Sequence, residues 1–292
     1  MFEASRNYSA ASPISKQKES VIQKVIRKVI DKKIENYTPF HEILSENSRY
    51  IVKTVSDGEE LRKILELRHT VYYKELLNTE HFLKLDVDKF DFRCDHLAVI
   101  DKKSGQFVGT YRLNSSLFND KFYSATEFHL DKIEQLEGVK LEIGRACVHP
   151  DFRNAITISM LWKGMLEYMM KTETRWLFGC SSIKTTDPLE AALLYKHFHK
   201  EGSKVFPDII KPKKLYKIPG FDHYLEKYIF NKPESGVENN IENLVPPLLK
   251  FYIKAGAKVC GEPAIDWDFK CIDFLTLLDV STVSERLHRK FG

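Results

Sequence analysis

Cysteine is scarce, at five in 292 residues. That is too few for a disulfide scaffold, and an odd count leaves at least one thiol unpaired, so a reducing compartment is expected. No apolar run approaches the ~18 residues that a membrane-crossing helix needs. The stretch MFEASRNYSAASPIS at 1–15 lacks the apolar core of a secretion signal and reads as a disordered lead-in. A cytoplasmic protein is therefore expected. No Cys/His spacing suits zinc, so no metal is expected. A strong excess of one charge is missing too. The 45 Lys and Arg face 41 Asp and Glu, a net of +4, which excludes a wholesale polybasic nucleic-acid binder.

What is present is an ordinary globular composition, 43% hydrophobic and 29% charged, long enough to bury a sizeable core. The charge is unevenly spread. Residues 16–33 carry seven basic and two acidic side chains, and 196–217 carry the same numbers. The rest of the chain holds 31 basic and 37 acidic residues. Within 16–35, Val21, Ile22, Val25, Ile26, Val29, Ile30 and Ile34 form one helical stripe opposite Lys24, Arg27, Lys28, Lys32 and Lys33. Such a helix either lies on an anionic membrane surface or packs its stripe on the core.

Residues 49–55 alternate as a strand. Asp57 precedes the periodic run Leu61, Ile64, Leu65, Leu67, Arg68, which predicts a capped helix reaching about Leu77. Residues 78–94 are irregular and acidic. Strands are predicted at His96–Asp101, Phe107–Asn114 and Lys140–Val148, the first two joined by a turn at Ser104-Gly105. Helices at 155–171 and Pro188–Lys200 flank a short buried strand, Arg175–Cys180. Residues 203–244 are rich in Pro, Lys and Asn and read as an insertion or long loop. A helix (Pro247–Ala255) and a strand (Ile272–Asp279) follow. This order gives an α/β domain with an antiparallel hairpin ahead of a parallel strand–helix–strand unit.

Leu141–Trp162 is the most informative stretch. A strand ends at Val148, His149-Pro150 breaks it, and Arg153-Asn154-Ala155 opens a helix whose N-terminus offers backbone N–H groups to a phosphate. This order resembles the GNAT acyltransferase fold, a mixed sheet flanked by helices, here with an N-terminal helix and a C-terminal extension. In that fold this loop, normally glycine-rich, holds the coenzyme A pyrophosphate. The turn Arg153–Ile158 has no glycine, and its side chains would hinder a backbone-bound pyrophosphate. A donor carrying pantetheine on a single phosphate, acyl carrier protein, fits better.

Further motifs sharpen the resemblance. Arg68–Tyr72, Asp86–Asp91, Gly109–Leu113 and Glu142–Arg145 look like the acyl-homoserine-lactone synthases. Cys94–Leu97, Phe122–Phe128, Gly144–Pro150, Leu177–Cys180 and Cys260–Phe269 are closer to the ornithine-lipid-type N-acyltransferases, also labelled haemolysins. The resemblance covers roughly 50–280. It implies an acyltransferase domain at 46–280 with the insertion at 203–244, preceded by the helix and linker at 16–45 and followed by a tail at 281–292. After Tyr72 these families tend to carry an acidic residue two places on, where this chain has Lys74 followed by Glu75.

The implied reaction moves a fatty, 3-hydroxyacyl or plain, chain from acyl carrier protein to the α-amine of an amino acid such as ornithine. The acyl-homoserine-lactone synthases are the alternative enzyme, and a membrane-active protein without catalysis is the non-enzymatic one. The co-substrate is the 4'-phosphopantetheine thioester, with no bound cofactor. An attacking ammonium must lose a proton, so a base is required, and Glu142 is the candidate. Strand alternation puts Glu142 and Arg145 on opposite faces. Asp86, Asp88 and Asp91 are candidates for holding the substrate ammonium. Arg68, Arg112 and Arg145 would hold its carboxylate or order the acidic loop. His149, Arg153, Asn154 and Ala155 form the acyl-donor loop. Cys147 and Cys180 are expected to be core residues rather than nucleophiles. The lysines of 196–217 suit an acidic carrier protein, and nucleic acid is not expected.

Overall fold

The computed structural model describes residues 20–200, 210–230 and 241–282. The lead-in at 1–15, residues 16–19 of the basic segment, the insertion's 203–209 and 231–240, and the tail from 283 lie outside the described residues. The strands are β1 (Leu44–Glu46), β2 (Tyr50–Thr54), β3 (Asp95–Asp101), β4 (Phe107–Ser115), β5 (Val139–Val148), β6 (Thr174–Ile183), β7 (Lys258–Val259), β8 (Ala264–Asp266) and β9 (Cys271–Asp279). They form one sheet in the order β1-β2-β3-β4-β5-β6-β9-β7, and β8 also pairs with β9. All pairs are antiparallel except β5 with β6. The C-terminal segment is thus part of the sheet, since β9 pairs with β6 from Trp176↔Asp279 to Ile183↔Ile272.

The helices are α1 (Val21–Glu35), α2 (Gly58–His69), α3 (Asp131–Glu134), α4 (Ala155–Lys171), α5 (Pro188–Lys200), α6 (Phe221–Phe230), α7 (Ile241–Leu244) and α8 (Pro247–Ala255). Met160, Leu161, Met165, Tyr168 and Met169 of α4 pack on Val52, Leu97, Val99, Leu113, Leu141 and Leu177 of the sheet. Leu61, Ile64 and Leu65 of α2 cover the other face with Ala98 and Phe107. Each fully buried aliphatic of this kind contributes roughly 1.5–3 kcal/mol. Covered on both faces, β4 is buried along its whole length. The predicted hairpin turn stands at Gly105, whose φ of +69° suits glycine.

Three expectations change. The helix expected to reach Leu77 leaves α geometry after His69 and continues as a wider π-helical segment, Thr70–Leu76. That shift brings the Tyr72 hydroxyl to the Ala146 carbonyl at 2.8 Å. The expected loop at 203–244 contains α6 and α7 among its described residues. Finally, the apolar stripe of α1 is split. Ile34 and Ile30 join the core cluster beneath α2, and Arg62 pairs with Asp31 at 2.6 Å. Val21 and Ile22 are 78% and 72% exposed, and Val25 and Val29 are more than half exposed.

Candidate active site

The parallel strands β5 and β6 pair only from Val139↔Thr174 to Glu142↔Phe178. Beyond that point they splay. Gly179 sits at the fork, where an added Cβ would lie 2.2 Å from the Ile143 carbonyl oxygen. Into the splay opens a cavity of ≈450 Å³, within the range of small-molecule sites. Its walls differ in chemistry. Tyr111, Tyr252, Leu248 and Leu249 make an apolar end, with the two tyrosine hydroxyls 2.8 Å apart. Cys180, Asp266, Cys271 and Asp273 make an acidic end. Arg145 lies on the wall, and Lys184 and Lys270 stand exposed at the lining. A larger open concavity of ≈700 Å³, lined by Lys33, Lys89, Arg93 and Lys121 among others, has no splayed strands and none of these buried carboxyls.

Glu142 is buried and held by three donors. Ser124 N–H donates to Oε1 (2.6 Å), and Tyr123 N–H (2.7 Å) and Asn114 Nδ2 (3.1 Å) donate to Oε2. The carboxylate therefore anchors the 123–124 wall, and one lone pair of Oε1 remains. Arg145 does not lie on the opposite face as strand alternation predicts. Its φ is +50°, and the β4–β5 register slips between Thr110 and Arg112. This bulge re-aims the side chain. Its guanidinium stacks on the rings of Tyr123 and Phe269, at 5.0 and 4.9 Å. Glu142 and Arg145 thus support the same wall.

The six charges expected to grip substrate pair with one another. Arg68 donates to Asp86 (2.6 Å) and to both oxygens of Asp91 (2.7 and 3.2 Å). Arg112 donates to Asp88 at 2.8 Å and to Asp91 at 3.2 Å. Arg145 donates to Asp88 at 3.2 Å and lies 3.4 Å from Asp86. Arg68 and Asp91 are both fully buried. Burial opposes their charges, but their partners prevail. Asp86 and Asp91 hold Arg68 above the usual guanidinium range, and Arg68 and Arg112 hold Asp91 far below the usual carboxylate range. This network locks the irregular 86–93 segment. The aspartates are not free to bind a substrate ammonium.

The donor loop is also engaged. Asn154 caps α4, and its Oδ1 accepts from the amides of Ile156 and Thr157, both at 3.0 Å. Those amides are not open to a phosphate, contrary to the reading of a free helix N-terminus. Arg153 makes a bidentate pair with Glu75, both bonds 2.6 Å, which gives Glu75 its partner. His149 accepts from Asp151 N–H at 3.3 Å, as a turn residue does. Ala155 is the first residue of α4. Cys147 is buried and its thiol is pushed up to about 12 by burial, so it is no ready nucleophile.

One group was missed. Glu127, Asp266 and Asp273 come from a loop, the end of β8 and β9, and all are buried. Glu127 and Asp266 fall inside the Phe122–Phe128 and Cys260–Phe269 motifs, which carried a resemblance but no role.

The splayed parallel pair, the helix that follows it and the cavity between them form a GNAT-like arrangement. Residues 67–163 match the Acetyltransferase (GNAT) domain family. The chain's curated relatives include the L-ornithine N(alpha)-acyltransferase of Rhodobacter capsulatus, 28% identical over 256 residues, which are 83% of this chain and 94% of that one. The enzyme of the same name from Agrobacterium fabrum is 29% identical over 72% of each chain. Among solved structures, a CoA-dependent acyl-homoserine lactone synthase, BjaI, with SAM and isopentyl-CoA aligns at a TM-score of 0.44 and 14% identity, covering 80% of this chain and 83% of that one. FeeM, an N-acyl amino acid synthase from uncultured soil microbes, aligns at 0.43 and 10% identity, covering 81% and 94%.

Proposed function

We propose that this protein transfers a fatty acyl chain, 3-hydroxyacyl or plain, from acyl carrier protein to the α-amine of ornithine, the first product of an aminolipid route. The observation that carries the reading is the cavity at the β5–β6 splay, whose apolar and acidic ends suit an acyl chain and a cationic amino acid. Similarity over 72–94% of the length of proteins named for ornithine acylation supports it.

Pantetheine is a slender chain of two amides. It can lie in the splay and hydrogen-bond to the strand edges as an added strand would. The glycine-free turn Arg153–Ile158 favours a donor without a pyrophosphate. The amine nitrogen attacks the thioester carbonyl carbon, the C–S bond breaks, and the pantetheine sulfur leaves as thiol after taking a proton. Strand-edge N–H groups can stabilise the developing oxyanion. The free lone pair of Glu142 Oε1 takes the amine's proton, directly or through water. Lys184 and Lys270, exposed at the lining, are the cations that suit the acceptor's carboxylate, since Arg145 is paired with Asp86 and Asp88. Incubating the protein with acyl-carrier-protein thioester and single amino acids tests the reading by mass spectrometry. An open acyl-ornithine supports it, and a lactone product or no acylated amine with any acceptor refutes it.

The exposed stripe of α1 adds a location. Val21, Ile22, Val25, Ile26 and Val29 face solvent beside Lys24 and Lys28, the arrangement of a helix that lies on anionic lipid. Among the described residues no helix is long and apolar enough to cross a membrane. Vesicle flotation should show binding to anionic vesicles and not to neutral ones. V25D/V29D should abolish it, and equal binding by wild type and variant would refute a role for α1.

A further inference from the structure

Around Asp273, on the cavity floor and just behind it, buried acidic groups gather without an ion-pair partner. The ligand atoms of Glu127, Cys180 and Asp273 all lie within 4.8 Å of one another, as do those of Asp266, Cys271 and Asp273. Glu127 is 1% exposed. Its Oε1 is buried with no hydrogen-bond partner, its Oε2 meets the Cys180 thiol at 3.7 Å, and the Asp273 carboxyl lies close enough to share a proton with it. Asp266 Oδ1 caps the turn that follows, accepting from Asp268 and Phe269 N–H at 2.8 and 3.0 Å. Among the described residues no lysine or arginine forms an ion pair with any of the three carboxyls. The contrast with the Arg68 network is direct, because there every buried aspartate has a cation.

Burying carboxylates without a cation costs several kcal/mol each, so such groups keep protons instead. Burial, then Asp273 and Asp266, push Glu127 up to about 9. Burial likewise raises Asp273, with Asp266 adding to it. A set of this kind, with Cys180, Asp266 and Asp273 on the wall of an open cavity, is complete only when a cation arrives.

The chemistry of the set selects the cation. Burial and the neighbouring carboxyls raise both the Cys180 and Cys271 thiols, and Cys180 donates toward Ser124 Oγ at 3.4 Å. Zinc sites in proteins are built mainly on thiolate and imidazole, whereas both thiols here are held protonated and no histidine joins either group. A primary ammonium has three N–H donors and no acceptor, which three carboxyls can satisfy. The acceptor proposed above carries two amines. The one that attacks must lose its proton, and an anionic site would hold that proton in place. The acidic floor therefore suits the amine that does not react.

We infer that Glu127, Asp266 and Asp273 form a binding site for the side-chain ammonium of the acceptor amino acid and select dibasic acceptors over neutral ones. The inference rests on the proposed acyl transfer to the α-amine. Calorimetric titration decides it without reference to turnover. Ornithine should bind wild type with release of protons, seen as a dependence of the heat on buffer ionisation. Norvaline, the same carbon chain without the second amine, should bind roughly tenfold or more weakly. E127Q and D273N should erase that difference while the fold survives, because each replaces a carboxyl that is already held protonated with a neutral group of the same shape. In turnover, both variants should raise KM for ornithine and leave kcat/KM for norvaline within about threefold. Equal loss of kcat with both acceptors would make the group catalytic and overturn the inference. Unchanged ornithine affinity in the variants would overturn it, as would binding that a chelator abolishes and a divalent metal restores. If wild type acylates no amine, the transfer reading falls, and the titration still decides the ammonium site.

Discussion

Replacing Arg68 with methionine removes the hub of the buried ion network. The change deletes three hydrogen bonds of 2.6, 2.7 and 3.2 Å. Asp91 keeps Arg112 at 3.2 Å, and Asp86 keeps only Arg145 at 3.4 Å. Three cations and three anions become two and three, in a site where Arg68 and Asp91 have no solvent contact. Leaving a buried charge without its partner costs about 3–5 kcal/mol. For a domain of this size that corresponds to a fall in Tm of about 6–20 °C. Thermal and urea unfolding of R68M should show it. The loss should shrink in R68M/D86N, where the stranded carboxylate is neutralised. The pH dependence should shift as well. A carboxylate held below its unfolded value contributes stability above about pH 4, and that stability is lost as pH falls through the folded value. R68M should therefore acid-denature at higher pH than wild type. A Tm change under about 2 °C, or no recovery in the double variant, would refute the claim that this network holds the 86–93 segment.

Asn154→Ala should destabilise the protein by about 1 kcal/mol, since two first-turn amides of α4 lose their cap, and thermal unfolding measures it. Gly179→Ala should push β5 and β6 apart at the fork and raise KM for the acyl donor more than KM for the acceptor, as steady-state kinetics would show. His96 is buried and held neutral, lowered to about 4 chiefly by burial. The stability it contributes is fully present above its unfolded value near 6.5 and is lost as pH falls toward 4, so His96→Asn should flatten that part of a pH–stability curve. Glu142→Gln should lower kcat/KM by roughly 10²–10⁴ if its free lone pair takes the amine proton. Retained activity would leave the residue only its anchoring role.

Local signals carried the elements. Asp57 and Asn154 mark helix starts, and α4, α5 and α8 stand where periodicity and prolines put them. The β3–β4 hairpin follows from alternation and its glycine turn. The site was legible mainly through motifs, and alternation misled at one place. A single bulged residue, Arg145, turns its side chain onto the face expected for Glu142, and nothing in the run LEIGRACV announces the bulge. The aspartates at 86–91 read as substrate ligands because their partners Arg68, Arg112 and Arg145 are distant in sequence, and pairing across distance has no local signature. For the same reason Glu127, Asp266 and Asp273 stayed unassigned, since only the β8–β9 ladder and the loop before α3 bring them together.

The splay between β5 and β6 also bears on how the chain avoids its own kind. Open strand edges template the addition of further strands, and proteins blunt or cover them against aggregation. Here the open edges face an internal cavity walled by Leu248, Leu249 and Tyr252 of α8. Under the proposed reaction they would receive a thin flexible arm rather than another protein's edge. An acyl-pantetheine arm that fills this gap also finishes the sheet, so stability should climb with donor concentration by about 2.7 kcal/mol at a hundredfold excess over Kd. On that proposal the empty protein is the less stable form, and the donor would stabilise the fold as well as react in it.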